Sequence, residues 1–439
     1  MNFDLPSLPD GWQYQKLEKC VKPNSITYGV VQPGVPVEDG VPMIRVNNFR
    51  DTHIDTADII KIEPEIESKY NRTRLSGGEV LLTLVGSVGQ VSVVSNKFSG
   101  FNVARAIGVI HPLPEISSAW IAICLRSPLS QHLLTSRANT TVQTTINLKD
   151  VRALPIPIPP EIERNQISDF VLALDDRITL LRETNATLEA IAQAIFKSWF
   201  VDFDPVRAKM EGRAPEGMDE ATAALFPDCF EESELGLMPR GWRVGTLGDI
   251  AHIARRQIQA SDLHADIHYV GLEHMPRKSL SLTSWGNAKG LESAKTAFCE
   301  GDVLFGKLRP YFHKVVIAPF AGVCSTDILV CQPSTADYFG AVAMHLFSEA
   351  LIEYADRLSN GAKMPRVNWK DLAAYPICVP QQQVAARLND ALCPMVSRMN
   401  ANVHQAHTLA TLRDTLLPRL ISGQLRLPDA DNAIAEAIA

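Results

Sequence analysis

The chain has 439 residues, 46% apolar and 21% charged, with a formal net charge of −7. Its length points to about three structural units, and its composition is that of folded globular material rather than a disordered chain. No run of about 18 apolar residues occurs, so no bilayer-spanning helix is expected. The acidic balance argues against a simple cationic nucleic-acid binder.

The first residues lack a basic start followed by an apolar stretch, so no secretory leader is expected. Eight cysteines are scattered without a C-x-x-C pair. That is the pattern of reduced thiols, and a cytoplasmic location is the expectation.

In chain order, Pro9-x-Gly11-Trp12 comes first, with Leu17 behind it. Short apolar runs at Val80 to Val85, Val91 to Val94 and Val103 to Ile110 are bounded by Gly, Ser, Asn or Pro and read as strands. Asn147 to Val151 is followed by Pro155-Ile156-Pro157-Ile158-Pro159, which suits an edge segment because proline cannot donate to a ladder. A heptad pattern follows: Ile167, Val171, Leu174, Ile178, Leu181, Asn185, Leu188, Ala192, Ile195 and Trp199. Steps of four and three predict a coiled-coil helix of about 40 residues, roughly 60 Å long. Residues 203–237, rich in Pro, Gly and carboxylates, read as an irregular connector.

The plan then repeats. Pro239-x-Gly241-Trp242 and Leu247 answer the opening at an offset of 230. Gly301-Asp302-Val303-Leu304 answers Gly78-Glu79-Val80-Leu81 at 223. Asn368 to Leu372 and Pro376 to Pro380 answer Asn147 to Val151 and Pro155 to Pro159 at 221. Strands are expected at Val303 to Phe305, Val315 to Ile317 and Ile328 to Cys331. A second heptad stripe runs Leu388, Leu392, Met395, Met399, Asn402, Ala406, Leu409, Arg413, Leu416 and Leu420. Ordered matches of this kind indicate duplication. Neither helix can bury its stripe alone, so each is expected to pair antiparallel with the other. Asn185 then falls opposite Asn402, a pairing that disfavours shifted registers.

The expected architecture is α+β: two pseudo-repeated, β-rich α/β fronts separated by two long helices forming an antiparallel coiled coil. The divisions are residues 1–159 (first front), 160–202 (central helix), 203–237 (connector), 238–380 (second front), 381–424 (distal helix) and 425–439 (tail).

These features resemble the specificity subunits of type I restriction-modification systems. The resemblance rests on the paired Pro-x-Gly-Trp openings, the proline run before a long helix and the tract Ile195-Phe196-Lys197-Ser198-Trp199-Phe200. It also rests on Tyr269-Val270-Gly271-Leu272-Glu273 and Leu304-Phe305-Gly306-Lys307-Leu308-Arg309-Pro310-Tyr311. One departure is that Asn165-Gln166 and Ala386-Arg387 stand where the family often has Glu-Gln.

The resemblance implies that the fronts are target recognition domains, each reading half of a split, asymmetric site on double-stranded DNA. The helices would act as a ruler and dock two methyltransferase subunits, with restriction/translocase subunits completing the complex. The chain itself would be non-catalytic, directing adenine methylation and restriction by its partners. It would bind no cofactor, S-adenosylmethionine, ATP and magnesium belonging to the partner subunits. Half-sites about one turn apart lie roughly 34 Å from each other.

Candidate DNA contacts are the donors that suit base edges or phosphates. In the first front these are Arg45, Asn47, Asn48, Arg50, Arg72, Arg74, Arg105, Arg137 and Lys149. In the second they are Arg255, Arg256, Gln257, Lys307, Arg309, Tyr311, Lys314, Lys363 and Arg366.

Competing signals are weaker. Gly301 to Lys307 has phosphate-loop spacing, but Leu308 stands where Ser or Thr would hold magnesium. Asp58, Glu67 and Lys69 resemble half of a metal-nuclease motif, which is the enzyme alternative; a coiled-coil scaffold that does not bind DNA is the third. His264, His268, His274, His404 and His407 lack the H-E-x-x-H arrangement of a zinc site. Trp199, Trp242 and Trp369 read as packing residues. No Asn-Pro-Pro, Asp-Pro-Pro or G-x-G-x-x-G motif occurs, which leaves methylation to a partner.

Overall fold

The computed structural model describes residues 5–50, 53–56, 58–138, 144–361 and 363–427, except for the side chain of Arg50. The expected tail from residue 428 lies outside the described residues. The chain divides into two compact units, Met1–Arg177 with Leu409–Ala439, and Ile178–Thr408. The boundary falls inside both long helices, so each unit contains one front and one segment of each helix.

Both units open on the same turn. Gly11 (φ 85°) and Gly241 (φ 82°) occupy the left-handed region. Trp12 N donates to Pro9 O and Trp242 N to Pro239 O, both at 3.1 Å. A turn with positive φ at its third position requires glycine, which is why Pro-x-Gly-Trp occurs twice. Each turn leads into a two-stranded ribbon. Gln13–Lys16 pairs antiparallel with Pro155–Ile158, and Arg243–Thr246 pairs with Pro376–Val379. The proline segments stay in two-stranded ribbons, where missing donors break no wider ladder.

Each front holds a four-stranded antiparallel sheet with one order. In the first unit it runs Thr27–Tyr28, Ile107–Ile110, Val80–Thr83, Val91–Val93. In the second it runs Ala251–Ile253, Ile328–Pro333, Val303–Gly306, Val315–Ile317. Val80–Thr83 and Val303–Gly306 are buried throughout, so they read as continuous apolar runs rather than alternating ones. Each fully buried Val or Leu there contributes about 2 kcal/mol of transfer free energy.

The second sheets differ. The first unit has three strands, Ile60–Ile62, Val41–Ile44 and Asn102–Val103, with a parallel Met43–Asn102 pairing. The second has five, in the order Gln257–Ile258, Lys295–Phe298, Gly322–Cys324, His268–Val270, Gly286–Asn287, with a parallel Tyr269–Val323 pairing.

The long helices run Glu161–Phe200 and Gln382–Ile421, 40 residues each. Within the second unit, Asn402 Nδ2 donates to Asn185 Oδ1 at 2.8 Å, and Asn185 Nδ2 donates to Met399 O at 3.0 Å. This is the expected antiparallel register. In the first unit, Ile167 and Val171 share a core with Leu416, Leu417 and Leu420. Arg413, the charged member of the second stripe, donates to Asp175 Oδ1 at 2.6 Å, and Asp175 Oδ2 also accepts from Arg126 Nη1 at 2.8 Å.

One expectation about the stripe is corrected. Beyond Asn185, Ala192 and Trp199 are buried as expected, but Leu188 and Ile195 are only half-buried, and Glu189 and Phe196 are buried beside them. The helix also packs against the second front there: Glu189 Oε2 accepts from Leu280 N at 2.7 Å and Ser279 Oγ at 3.2 Å. Burial holds the Glu189 carboxyl above its usual range, opposed by those two donors.

The connector is more ordered than its composition suggests. It contains helices Asp204–Met210 and Glu220–Ala224 and a hairpin, Phe230–Ser233 with Gly236–Pro239. Its hydrophobic content explains this: Phe203 and Phe226 join Trp199, Phe200 and Trp242 in one aromatic cluster with centroids 5.5–6.4 Å apart. Trp199 and Trp242 are buried packing residues, and Trp369 is half-buried against the same core.

Candidate nucleic-acid interface

The two fronts build one loop pair by matching hydrogen bonds. In the first, Gly86 N donates to Thr144 O at 2.9 Å and Ile146 N to Leu84 O at 3.0 Å. In the second, Arg309 N donates to Pro365 O at 2.8 Å and Val367 N to Lys307 O at 3.1 Å. Isolated bridges Val85–Thr145 and Leu308–Arg366 complete the correspondence. The frame is shared, and the side chains it presents differ completely.

In the first front, an open concavity of about 640 Å³ lies between the segment Arg45 to Phe49 and the loop that carries Ser87 and Gln90. Asn47 is exposed on its wall. Arg45 is half-buried, its Nη2 donating to Asp58 O at 2.7 Å. Asn48 does not reach the groove: its Oδ1 accepts from Arg45 N at 2.8 Å and the side chain is buried. Arg105 is exposed between Ala104 and Ala106, which line the same concavity. The Arg50 side chain lies outside the described residues.

The remaining first-front candidates are elsewhere. Arg72 is exposed on the turn Ser68–Thr73, and Lys149 on the helix Leu148–Arg152. Arg137 ends the helix Pro128–Arg137, half-buried and engaged. Arg74 is spent internally, its Nε donating to Glu67 Oε1 at 2.9 Å and its Nη2 to Glu67 Oε2. Asn102 Nδ2 also donates to Glu67 Oε1, at 2.9 Å. These bonds, the Arg74 bond foremost, hold the buried Glu67 carboxyl below its usual range.

This geometry overturns the nuclease alternative. Glu67 is buried and already bonded, while Asp58 and Lys69 are exposed. A carboxylate with its oxygens committed to a guanidinium and an amide has none to offer a metal. Likewise Gly306 ends a central strand, paired with Ile328, rather than opening a strand-to-helix loop. His404 Nε2 pairs with Pro319 O at 2.9 Å, His407 stacks on Trp285 and His274 Nδ1 accepts from Gly271 N.

In the second front the loop pair gathers six of the nine candidates. Lys307, Arg309, Tyr311 and Lys314 are on one loop, Lys363 and Arg366 on the other. Arg309 Nη2 donates to Lys363 O at 3.2 Å, and Arg366 Nε to Asp327 Oδ1 at 3.1 Å. Tyr311 is half exposed at the tip. Lys314 Nζ donates to Leu272 O, and burial, then the nearby Arg277 charge, hold its ammonium below the usual lysine range. Arg255, Arg256 and Gln257 are exposed on and before the edge strand Gln257–Ile258 of the other sheet, not on these loops.

Sequence reasoning missed Arg277, whose guanidinium lies 4.0 Å from the Phe312 ring centroid. The available signal was the duplication, since the counterpart segment from Arg45 was singled out in the first front alone.

Comparison with known proteins agrees with this plan. Residues 36–190 match the model of the type I restriction modification DNA specificity domain. The chain is 22% identical over 366 residues to the MjaIX specificity subunit of Methanocaldococcus jannaschii, covering 80% of this chain and 78% of that one. The chain is similar to the specificity subunits of type I restriction-modification systems.

Specificity subunits are the DNA-recognition components of these systems. The EcoBI specificity subunit of Escherichia coli is 30% identical over 198 residues, 43% of this chain. That match spans only 42% of the EcoBI subunit, less than half its length. The fold is shared with the S subunit from M. genitalium, at a TM-score of 0.51 and 12% identity, covering 95% of this chain and 98% of that one. Among the described residues no helix is long and apolar enough to cross a membrane.

Proposed function

We propose that this chain is the DNA reader of a type I restriction-modification complex, recognising a bipartite, asymmetric site with one half per front. The observation that carries the reading is the duplicated loop pair. One backbone frame presents Ser87 and Gln90, facing Asn47, in the first unit, and Lys307, Arg309 and Tyr311 in the second. Two unlike reading surfaces on one frame suit an asymmetric site, because base identity is read by side-chain donors and acceptors while the frame sets their reach. The number of helical residues between the fronts sets the number of unread base pairs.

Chemistry belongs to partners: two methyltransferase subunits that methylate adenine, and restriction/translocase subunits. S-adenosylmethionine, ATP and magnesium are theirs, and this chain carries no cofactor. The cytoplasm is the compartment in which it meets DNA. Its net charge of −7 leaves a share of the phosphate contacts to those subunits. The test is methylome sequencing of cells carrying this chain with residues 1–159 exchanged for another member's first front. One half of the methylated sequence changes and the other stays; both halves changing, or neither, refutes the assignment.

A further inference from the structure

The second front holds, against the turn of its loop pair, a cation that no sequence pattern marked. Matched hydrogen bonds locate it. Arg45 N to Asn48 Oδ1, 2.8 Å, corresponds to Gly271 N to His274 Nδ1, 2.9 Å. Ala104 N to Ile44 O, 2.8 Å, corresponds to Ser325 N to Val270 O, 2.9 Å. The segment from Gly271 therefore stands where the groove-lining segment from Arg45 stands, and it continues to Arg277.

Arg277 is exposed, yet held. Its guanidinium lies 4.0 Å from the Phe312 centroid, with Arg309 at 5.9 Å from the same ring and Tyr311 packed edge-on at 4.7 Å. The turn Pro310–Phe312 is bracketed by two residues in the left-handed region, Arg309 (φ 52°) and His313 (φ 51°). Lys278 (φ 51°), next to Arg277, donates its N–H to His313 O at 2.9 Å. Three such non-glycine residues around one turn persist only where the surroundings enforce them, and they cluster at binding sites.

Charge completes the case. Lys278 is paired with Glu349 at 2.8 Å, but among the described residues no carboxylate pairs with Arg277. Two guanidiniums sharing one ring without a neutralising acid await an electron-rich partner. A planar fork stacked in one orientation suits bidentate recognition, of a phosphate or of a base edge. In a major groove that acceptor pair is O6 and N7 of guanine.

We propose that Arg277, oriented by Phe312, is a specificity-determining residue that reads a guanine in the half-site of the second front. The proposal rests on the DNA-reading assignment above. Complexes of the full chain with its methyltransferase subunits would be compared on a randomised-site duplex library, as wild type, Arg277→Ala, Arg277→Lys and Phe312→Leu. Arg277→Ala and Arg277→Lys are each expected to lose preference for one guanine on the order of ten- to a hundredfold. Phe312→Leu should weaken the same preference, and the other half-site should stay unchanged. Arg277→Lys keeping full discrimination, a uniform loss over all sequences, or a second half-site without guanine on either strand would overturn the proposal. A wild-type complex with no sequence preference would instead defeat the DNA-reading assignment itself.

Discussion

Asn402 and Asn185 meet side chain to side chain, 2.8 Å between Nδ2 and Oδ1, both withdrawn from solvent. The pair is local to the second unit and links the two helices at one register. Asn185 has further duties, donating to Met399 O at 3.0 Å and Ser281 Oγ at 3.3 Å, so one amide ties helix to helix and helix to front.

Replacing Asn402 by Leu strands the Asn185 carbonyl in an apolar seam, at a cost of about 1–3 kcal/mol. Replacing both residues by Leu removes both desolvated amides. The double variant is expected to unfold at a higher urea concentration than Asn402→Leu alone, a non-additive result read from denaturation midpoints of the full chain. Strictly additive losses would mean that the two amides act independently.

Asp175 is the corresponding polar device of the first unit, buried between Arg126 and Arg413. Asp175→Ala removes an acid from both Arg126 and Arg413, the latter keeping Asp414, and should cost about 3 kcal/mol, the low end of the range for breaking a buried ion pair. Arg413→Ala leaves Asp175 paired with Arg126 and should cost less. Thermal denaturation of the two variants side by side checks the order.

Glu67 supplies a pH test. Its folded pKa is depressed, chiefly by the Arg74 bond. A depressed carboxyl adds stability above its unfolded pKa of about 4.3 and loses it as pH falls through the folded value. Between pH 5 and pH 3 the wild type should therefore lose more stability than Glu67→Gln, whose amide does not titrate. At pH 7 Arg74→Ala should be the more damaging change, because it leaves a buried carboxylate with the Asn102 amide but without its counter-charge. Urea midpoints across that pH range would show the curves of wild type and Glu67→Gln converging in acid.

Much of the architecture was legible in the linear order of residues because it depends on short-range rules. A Pro-x-Gly-Trp turn needs glycine at a positive φ, and Gly11 and Gly241 provide it. A stripe at steps of three and four needs a partner helix, and its two asparagines mark their own register. The duplication followed from repeated anchors alone. Contacts between residues far apart in the chain leave no periodic trace, and only the tertiary structure decided those. It buried Glu189 in place of Leu188, because a segment of the second front docks on that face of the helix. It withdrew Arg74 and Asn48 from the candidate surface by giving each an internal partner. It also placed Arg277 on Phe312. A cation's availability depends on which acids and rings the fold brings to it, a property of three-dimensional neighbours rather than of residue type.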